Sequence, residues 1–143
     1  MTKHILIVED DYGIQEMLQA RLEMEGYSLS LARDGQEAME RLETTTPSII
    51  LLDLGLPHMN GYALLEALEK QRSDLSLPVI IMTADPQAPA RLAQKPVTIF
   101  PKPFALHALV AAIKKAISVK EEDELNHHTI LSKEAQLKPL LKP

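Results

Sequence analysis

Carboxylates, a hydroxyl and a lysine follow short apolar runs at several points along the chain. The acidic run Glu9–Asp11 comes after one of them, and Asp53 directly follows the run Ile49–Leu52. Thr83 and Lys102 follow two later runs. Carboxylate charges about 4 Å apart repel by about 4 kcal/mol at an effective dielectric of about 20. If these groups converge in the fold, a cation or a proton must lie between them.

A carboxylate at such a place can also act as a nucleophile. Attack on phosphorus by a carboxylate oxygen of Asp53 would produce an aspartyl phosphate. Phosphoryl transfer depends on positioning and on neutralising the charge of the equatorial oxygens. The Thr83 hydroxyl with the following backbone amide of Ala84, the Lys102 ammonium and a bound cation would each neutralise one oxygen. These residue types therefore suit acceptance of a phosphoryl group.

Oxygen ligands alone indicate which cation to expect. Mg²⁺, or Mn²⁺ in its place, binds a few carboxylates together with waters and phosphate oxygens. We expect Asp10 and Asp53 to bind the metal directly, helped by the backbone carbonyl of Gly55. Glu9 would reach the metal through a water molecule, or would hold the direct ligands in place.

The elements that must position these residues alternate along the chain. Several apolar runs of strand length are nearly continuous in Ile, Leu and Val, which is typical of strands buried on both faces of a parallel sheet. Alternating β and α units with right-handed crossovers predict a doubly wound α/β sheet. Functional groups gather at the carboxyl ends of such strands. The predicted strands are His4–Val8, Ser28–Ala32, Ile49–Leu52, Val79–Met82 and Val97–Phe100.

Polar capping residues mark where the helices should begin. Asp11, Asp34 and the pair Asn60-Gly61 each precede a segment with apolar residues at helical spacing. Gly26 is expected to end the first helix. The segment between the fourth and fifth strands is rich in proline, so we predict a short fourth helix there, at about Ala90–Gln94.

The length of 143 residues suits one domain with a modest remainder. We predict a domain over residues 1–119. A charge run begins at Lys120, so residues 120–143 are expected to be a charged linker or a flexible tail, with a short docking segment as the alternative.

Composition excludes several function classes. The chain has no cysteine, which rules out disulfides and thiolate metal sites and agrees with a cytoplasmic location. Its formal charge of −5 and lack of a basic stripe argue against nucleic-acid binding by this chain alone. No apolar stretch is long enough for a signal peptide or a membrane span. We therefore expect a cytoplasmic protein without a membrane-bound segment.

Four ordered motifs resemble the receiver domains of bacterial response regulators. They are Ile5–Asp11, Leu51–Pro57 with Asn60-Gly61, Ile81–Ala84 and Lys102–Phe104. The resemblance covers about residues 3–118 and is specific because all four motifs occur in order. It implies a flavodoxin-like (βα)₅ fold with strand order 2-1-3-4-5, and a signalling domain rather than an enzyme.

The resemblance also implies roles for individual residues. Glu9 and Asp10 match the acidic pair of the family, and Asp53 matches the phosphoacceptor. Thr83 and Lys102 match its hydroxyl and its lysine. The expected partner is a sensor histidine kinase or a phosphotransfer protein, followed by an unknown downstream protein, and we expect a monomer or weak dimer.

Some further positions match the family and others depart from it. Gly55 matches the position whose carbonyl binds the metal, and Pro103 the proline whose preceding peptide bond is usually cis. Receivers usually carry Tyr or Phe three residues before the lysine, as a switch that reports phosphorylation. Ile99 stands there, and the neighbouring Phe100 should face the opposite side of the sheet. The usual relay from threonine to aromatic residue is therefore altered.

Two other functions remain open at this point. The altered relay favours an interaction module that keeps the receiver fold without depending on phosphorylation. A phosphatase with an aspartate nucleophile would share the Asp, Thr, Lys and Mg²⁺. Such enzymes usually have a second aspartate two residues after the nucleophile, and Gly55 at that position provides no general acid.

Overall fold

The computed structural model describes residues 2–72 and 76–137. Five parallel strands form one sheet in the order β2-β1-β3-β4-β5. This order confirms the predicted flavodoxin-like α/β fold. The last three strands each extend one residue beyond the predicted bounds, so Asp53 and Thr83 lie within the sheet. The strands are β1 (His4–Val8), β2 (Ser28–Ala32), β3 (Ile49–Asp53), β4 (Val79–Thr83) and β5 (Val97–Pro101).

The predicted capping residues begin the helices. The Asp11 side chain accepts a hydrogen bond from the Ile14 amide at 2.9 Å, and Asp34 and Asn60 accept equivalent bonds at 2.8 and 2.9 Å. Gly26 follows the first helix with φ +94°, as expected for a residue that ends a helix. The helices are α1 (Tyr12–Met24), α2 (Gly35–Thr44), α3 (Gly61–Gln71), α4 (Ala88–Arg91) and α5 (Leu106–Leu137).

The core consists of two aliphatic layers, one on each face of the sheet. Alternate residues of each strand point to opposite layers, so Leu6 and Val8 pack towards α2, α3 and α4, while Ile5 and Ile7 pack towards α1 and α5. All five residues of β3 are buried. Burial on both faces makes the sheet a fixed support for the side chains at its carboxyl edge.

Helix α4 is short, as predicted, but its predicted bounds are wrong. It runs from Ala88 to Arg91 rather than over Ala90–Gln94. Pro89 lies in its first turn, where the missing amide hydrogen costs no helical hydrogen bond. The helix therefore begins before this proline and not after it.

Helix α5 extends without interruption past residue 119 to Leu137. Residues 121–126 are all exposed, in keeping with a solvated extension of the helix. The predicted boundary between residues 119 and 120 stays a prediction, and the predicted tail over residues 138–143 lies outside the described residues. Within the described part of the chain, no helix has the length and hydropathy needed to cross a bilayer.

Candidate phosphoryl and metal site

Three carboxylates converge at the carboxyl edge of the sheet. Strand β1 leads directly into Glu9 and Asp10, and the neighbouring strand β3 ends at Asp53. One oxygen atom from each of the three side chains lies within 4.8 Å of the others. The structure thus brings together the carboxylates that the sequence analysis selected.

Glu9 is the most deeply buried of these groups. Its side chain has no exposed surface, and its Oε1 accepts a hydrogen bond from Lys102 Nζ at 2.7 Å. Its Oε2 accepts another from the Asp10 amide at 3.2 Å. Burial raises the pKa of Glu9 to about 8, and Asp53 adds to this rise while Lys102 opposes it.

Lys102 bridges two of the carboxylates. Its Nζ atom is 2.7 Å from Glu9 Oε1 and 3.3 Å from Asp53 Oδ2. Burial lowers the pKa of this ammonium, but the hydrogen bond to Glu9 and the charges of Glu9 and Asp53 outweigh burial, so the net pKa is raised. The Lys102 ammonium is partly exposed and is stabilised by two carboxylates, whereas Glu9 is fully buried beside another carboxylate. The raised pKa values therefore favour the charged form of Lys102 and disfavour the charged form of Glu9.

Asp53 combines burial with one open side. Its side chain is 10% exposed, and its Oδ1 accepts a hydrogen bond from the Gly55 amide at 3.1 Å. The second oxygen, Oδ2, faces Lys102. This bonding fixes the orientation of the carboxylate without enclosing it. The metal-binding role of the Gly55 carbonyl stays a prediction.

Thr83 ends strand β4, which lies beside the strand β3 that ends at Asp53. Its hydroxyl oxygen accepts a hydrogen bond from the Asp85 amide at 3.0 Å, and its carbonyl accepts one from the Lys102 amide at 2.7 Å. The second bond ties the end of β4 to the turn after β5. The Lys102–Pro103 peptide bond is cis, as expected.

Asp53, Thr83 and Lys102 line one cavity of about 310 Å³. It lies over Asp53 and is bounded by the turns that follow β3, β4 and β5. Its lining residues are Asp53, Leu54, Gly55, Tyr62, Thr83, Ala84, Asp85 and Lys102. The Lys102 ammonium, the Thr83 hydroxyl and the Asp53 carboxylate thus face one open space, as acceptance of a phosphoryl group requires.

The donor set fits a small divalent cation. Every side-chain ligand in the cluster is a carboxylate oxygen, and Asp10 is exposed while Asp53 is open on one side. Mg²⁺ prefers such ligands and retains several waters. Glu9 already accepts hydrogen bonds from Lys102 and from the Asp10 amide. Asp10 and Asp53 are therefore better placed than Glu9 to bind a metal directly.

Helix α3 approaches the site very closely. A Cβ atom on Gly61 would lie 2.5 Å from the backbone oxygen of Asp53 and 2.5 Å from the Cα atom of Leu54. The Gly61 amide donates a hydrogen bond to the Leu54 carbonyl at 3.0 Å. Glycine at this position lets the start of α3 support the backbone that carries Asp53.

Two residues at the site were missed by the sequence analysis. Gln15, on α1, is buried and its amide donates a hydrogen bond to the Glu9 carbonyl. Tyr62, on α3, donates from its hydroxyl to Asp85 Oδ2 at 2.7 Å. Gln15 stands at helical spacing from the buried Leu18 and Leu22 of α1, which was a usable signal, whereas the contact of Tyr62 depends on tertiary packing and has no local signal.

Ile99, at the switch position, and its neighbour Phe100 face opposite layers of the core. Ile99 packs in the layer towards α2, α3 and α4. Phe100 packs in the layer towards α1 and α5, where its ring lies 6.5 Å from that of Phe104 in an edge-to-face arrangement. The predicted orientation of Phe100 is therefore confirmed.

Known proteins match most of this chain. The family model described as the response regulator receiver domain matches residues 5–114. The response regulator MprA from Mycobacterium sp. (strain KMS) is 32% identical over 127 residues, which is 87% of this chain and 54% of that protein. The chain therefore spans about half the length of the curated relatives it matches.

Solved structures of receivers have the same fold. The receiver domain of the sensor histidine kinase PA1611 from Pseudomonas aeruginosa PAO1, with a magnesium ion coordinated in its active-site cleft, is 28% identical with a TM-score of 0.74. The match covers 82% of this chain and 99% of that one. TrrA from Thermotoga maritima, in complex with Mg²⁺-BeF, is 27% identical with a TM-score of 0.71, over 80% of this chain and 99% of that one.

Proposed function

This chain belongs to the response regulator receiver family, and we propose that it accepts a phosphoryl group on Asp53 in a Mg²⁺-dependent reaction and thereby changes partner binding. The donor would be a phosphohistidine of a sensor histidine kinase or a phosphotransfer protein. The observation that carries this proposal is the cavity that places Asp53, Thr83 and Lys102 around one open space.

The transfer step follows from the position of Asp53. One carboxylate oxygen attacks phosphorus while the bond from phosphorus to the histidine nitrogen breaks, and the imidazole leaves with that electron pair. The product is an aspartyl phosphate. The Gly55 amide holds the carboxylate in a fixed orientation, which favours attack in line with the leaving nitrogen.

Other residues of the chain stabilise the transferred group. The Lys102 ammonium lies 3.3 Å from Asp53 and would pair with one phosphoryl oxygen. The Thr83 hydroxyl and the Ala84 amide would donate hydrogen bonds to a second. Asp10, Asp53 and the Gly55 carbonyl would hold Mg²⁺, with Glu9 acting through water. The bound metal would supply positive charge for the remaining oxygen.

Two solved relatives support this chemistry for the receiver domain, and not for a longer protein. The PA1611 receiver was solved with magnesium in its own active-site cleft, and TrrA was solved with Mg²⁺-BeF. Family membership supports a signalling domain, and we propose that it is cytoplasmic, a monomer or weak dimer, and not an enzyme. Its own phosphotransfer and slow self-dephosphorylation would be the exceptions. Its downstream partner would be a protein. The chain itself would contact neither nucleic acid nor membrane directly.

Ile99 favours a second candidate function. Its side chain has no polar atom with which to report phosphorylation through strand β5. A module that binds its partner regardless of phosphorylation would tolerate this residue. Partner binding that is identical for the wild type and Asp53→Asn, with or without a phosphodonor, would favour this alternative.

Incubation with acetyl phosphate and Mg²⁺, followed by intact-mass measurement, tests the leading proposal. We expect the wild type to gain the mass of one phosphoryl group, and we expect this gain to disappear with EDTA or in Asp53→Asn. Asp123→Asn, which changes an exposed acid on α5, serves as the matched control and should label like the wild type. Equal labelling of Asp53→Asn would contradict the proposal.

A further inference from the structure

Strand β5 offers no polar side chain at the position where receivers usually carry the reporting aromatic residue. Ile99 stands three residues before Lys102 and packs among aliphatic side chains. A phenol hydroxyl is nevertheless present at the site, because Tyr62 of α3 lines the same cavity as Asp53 and Thr83. An aromatic side chain capable of reporting a change at Thr83 thus approaches from a different element.

Asp85 connects this tyrosine to Thr83. Its amide donates a hydrogen bond to the Thr83 hydroxyl oxygen at 3.0 Å. Its Oδ2 accepts a hydrogen bond from the Tyr62 hydroxyl at 2.7 Å, and its Oδ1 accepts one from the Gln87 amide at 2.9 Å. One residue therefore links the phosphoryl cavity, helix α3 and the start of helix α4.

Arg91 extends the connection to the surface. Its guanidinium carbon lies 3.5 Å from the centre of the Tyr62 ring, and its Nη1 lies 3.9 Å from Asp85 Oδ2. The side chains of Arg91 and Asp85 are 53% and 31% exposed. A shift of Tyr62 or Asp85 would therefore rearrange charges that a partner can contact.

The protonation states of the pair keep the hydrogen bond intact. Burial raises the pKa of the Tyr62 phenol, and the hydrogen bond to Asp85 raises it further. The same hydrogen bond lowers the pKa of the Asp85 carboxyl, and the hydrogen bond from the Gln87 amide lowers it further. A neutral phenol thus faces an ionised carboxylate at neutral pH, which makes the contact a charge-assisted hydrogen bond.

We propose that Tyr62 and Asp85 report the phosphorylation of Asp53 to helix α4 and Arg91, in place of an aromatic switch on strand β5. This inference rests on the phosphorylation proposed above. The cluster Tyr62–Asp85–Arg91 is the element that couples the buried cavity to an exposed surface.

The coupling follows from the hydrogen bonds of Thr83. Its hydroxyl oxygen accepts from the Asp85 amide, so its own hydrogen can be donated to a phosphoryl oxygen on Asp53. That new bond draws Thr83 towards Asp53. The Asp85 amide must then follow Thr83 or lose its acceptor, and in either case the Asp85 carboxylate moves relative to Tyr62. The change reaches α4 through the Gln87 amide and Arg91.

NMR of the full chain with Mg²⁺ and beryllofluoride, a phosphoryl mimic, separates this inference from the proposed function. The fluorine signal of bound beryllofluoride reports whether the Asp53 site is occupied. The backbone amide shifts of Ala88, Ala90 and Arg91 report on α4. Tyr62→Phe removes only the hydroxyl and keeps the ring against Arg91. Tyr27→Phe is the matched control, because Tyr27 packs on the opposite layer of the core.

At saturation we expect the α4 amides to shift in the wild type and in Tyr27→Phe. In Tyr62→Phe the fluorine signal should be present and the α4 shifts clearly reduced, because Asp85 keeps its bond to the Gln87 amide but loses its bond to the Tyr62 hydroxyl. An α4 response in Tyr62→Phe equal to that of the wild type, with the fluorine signal present, would overturn the reporting role while leaving phosphorylation standing. A wild type that shows no bound fluorine signal would overturn the proposed function and this inference together.

Discussion

Glu9 governs the electrostatics of the site, because its carboxylate is fully buried beside Asp53 and depends on Lys102 for charge compensation. Its Oε1 accepts from Lys102 at 2.7 Å, and the Gln15 amide donates to its backbone carbonyl. Ionised groups in such surroundings cost free energy unless they are paired. The stability of the metal-free protein should therefore depend on the protonation of this residue.

Glu9 gives a prediction for the pH dependence of stability. Its pKa in the folded protein is about 8, above the ordinary value of 4.5, so the folded state holds a proton that the unfolded state releases. The unfolding free energy contributed by this group must then fall as pH rises through that window. We expect Glu9→Gln to remove this part of the decline, as measured by urea unfolding in EDTA across the window.

Glu40→Gln provides the matched control for this experiment. Glu40 is an exposed glutamate on α2, away from the carboxylate cluster. It should keep the pH slope of the wild type. A slope in Glu9→Gln equal to that of the wild type would show that Glu9 does not titrate in this window.

Metal binding gives a second prediction at the residue scale. Mg²⁺ should raise the temperature of unfolding, because it binds the folded site and relieves the repulsion between the Asp10 and Asp53 carboxylates. A ligand present at about 100 times its Kd stabilises the folded state by about 2.7 kcal/mol. We expect thermal unfolding of the wild type to show this stabilisation, and Asp10→Ala to lose most of it.

Asp123→Ala should respond to Mg²⁺ as the wild type does, because Asp123 is exposed on α5. A full Mg²⁺ response in Asp10→Ala would mean that Asp10 is not a metal ligand. An equal loss in both variants would indicate binding to surface charge rather than to the site.

At the scale of elements, local sequence signals predicted the strands and the helix starts better than the side-chain contacts between elements. The strands follow from short apolar runs, and the starts of α1, α2 and α3 from the capping residues Asp11, Asp34 and Asn60. The bounds of α4 were wrong because Pro89 is tolerated inside a first turn. The bond of Tyr62 to Asp85 joins α3 to a loop distant in sequence, and no local pattern encodes it.

Gly61 tests how closely α3 must approach β3. A methyl group at this position would lie 2.5 Å from backbone atoms of Asp53 and Leu54. Backbone cannot yield as a flexible side chain can, so we expect Gly61→Ala to cost about 1–3 kcal/mol of unfolding free energy. Urea unfolding measures this directly.

Gly55→Ala is the matched control, because its methyl group would meet Asp53 Oδ1 at an ordinary 3.9 Å. It should cost clearly less stability than Gly61→Ala. Equal costs for the two variants would show that the close approach of α3 is not the cause.

At the scale of the whole molecule, the order of the strands brings distant residues into one site. Lys102 lies 93 positions from Glu9 in sequence and 2.7 Å from it in space. The sequence predicted this convergence because parallel strands end at a common edge. It did not determine the individual bonds, such as the division of Lys102 between Glu9 and Asp53, because these depend on burial and on side-chain packing.

The predicted domain boundary can be tested by truncation. Among the α5 side chains whose burial the structure describes, residues 106–126, the buried ones are Leu109, Val110, Ile113 and Ile117, and residues 121–126 are exposed. The ion pair of Lys3 with Glu121 lies at the surface, where such pairs contribute about 0–1 kcal/mol. We expect a chain that ends at Val119 to unfold cooperatively in urea with a loss within that range.

A chain that ends at Lys114 should lose more than about 2 kcal/mol, because it lacks the buried side chain of Ile117. If the chain that ends at Val119 were destabilised as strongly, residues beyond 119 would belong to the folded domain and the boundary would be wrong.

Localisation of the phosphoryl group tests the central claim most directly. After incubation with acetyl phosphate and Mg²⁺, reduction with borohydride converts an aspartyl phosphate to homoserine, and peptide mass spectrometry identifies the altered position. We expect homoserine at position 53, in place of Asp53, and unaltered aspartate at Asp10 and Asp85. Homoserine at another position, or a phosphorylated protein that contains none, would contradict phosphorylation of Asp53.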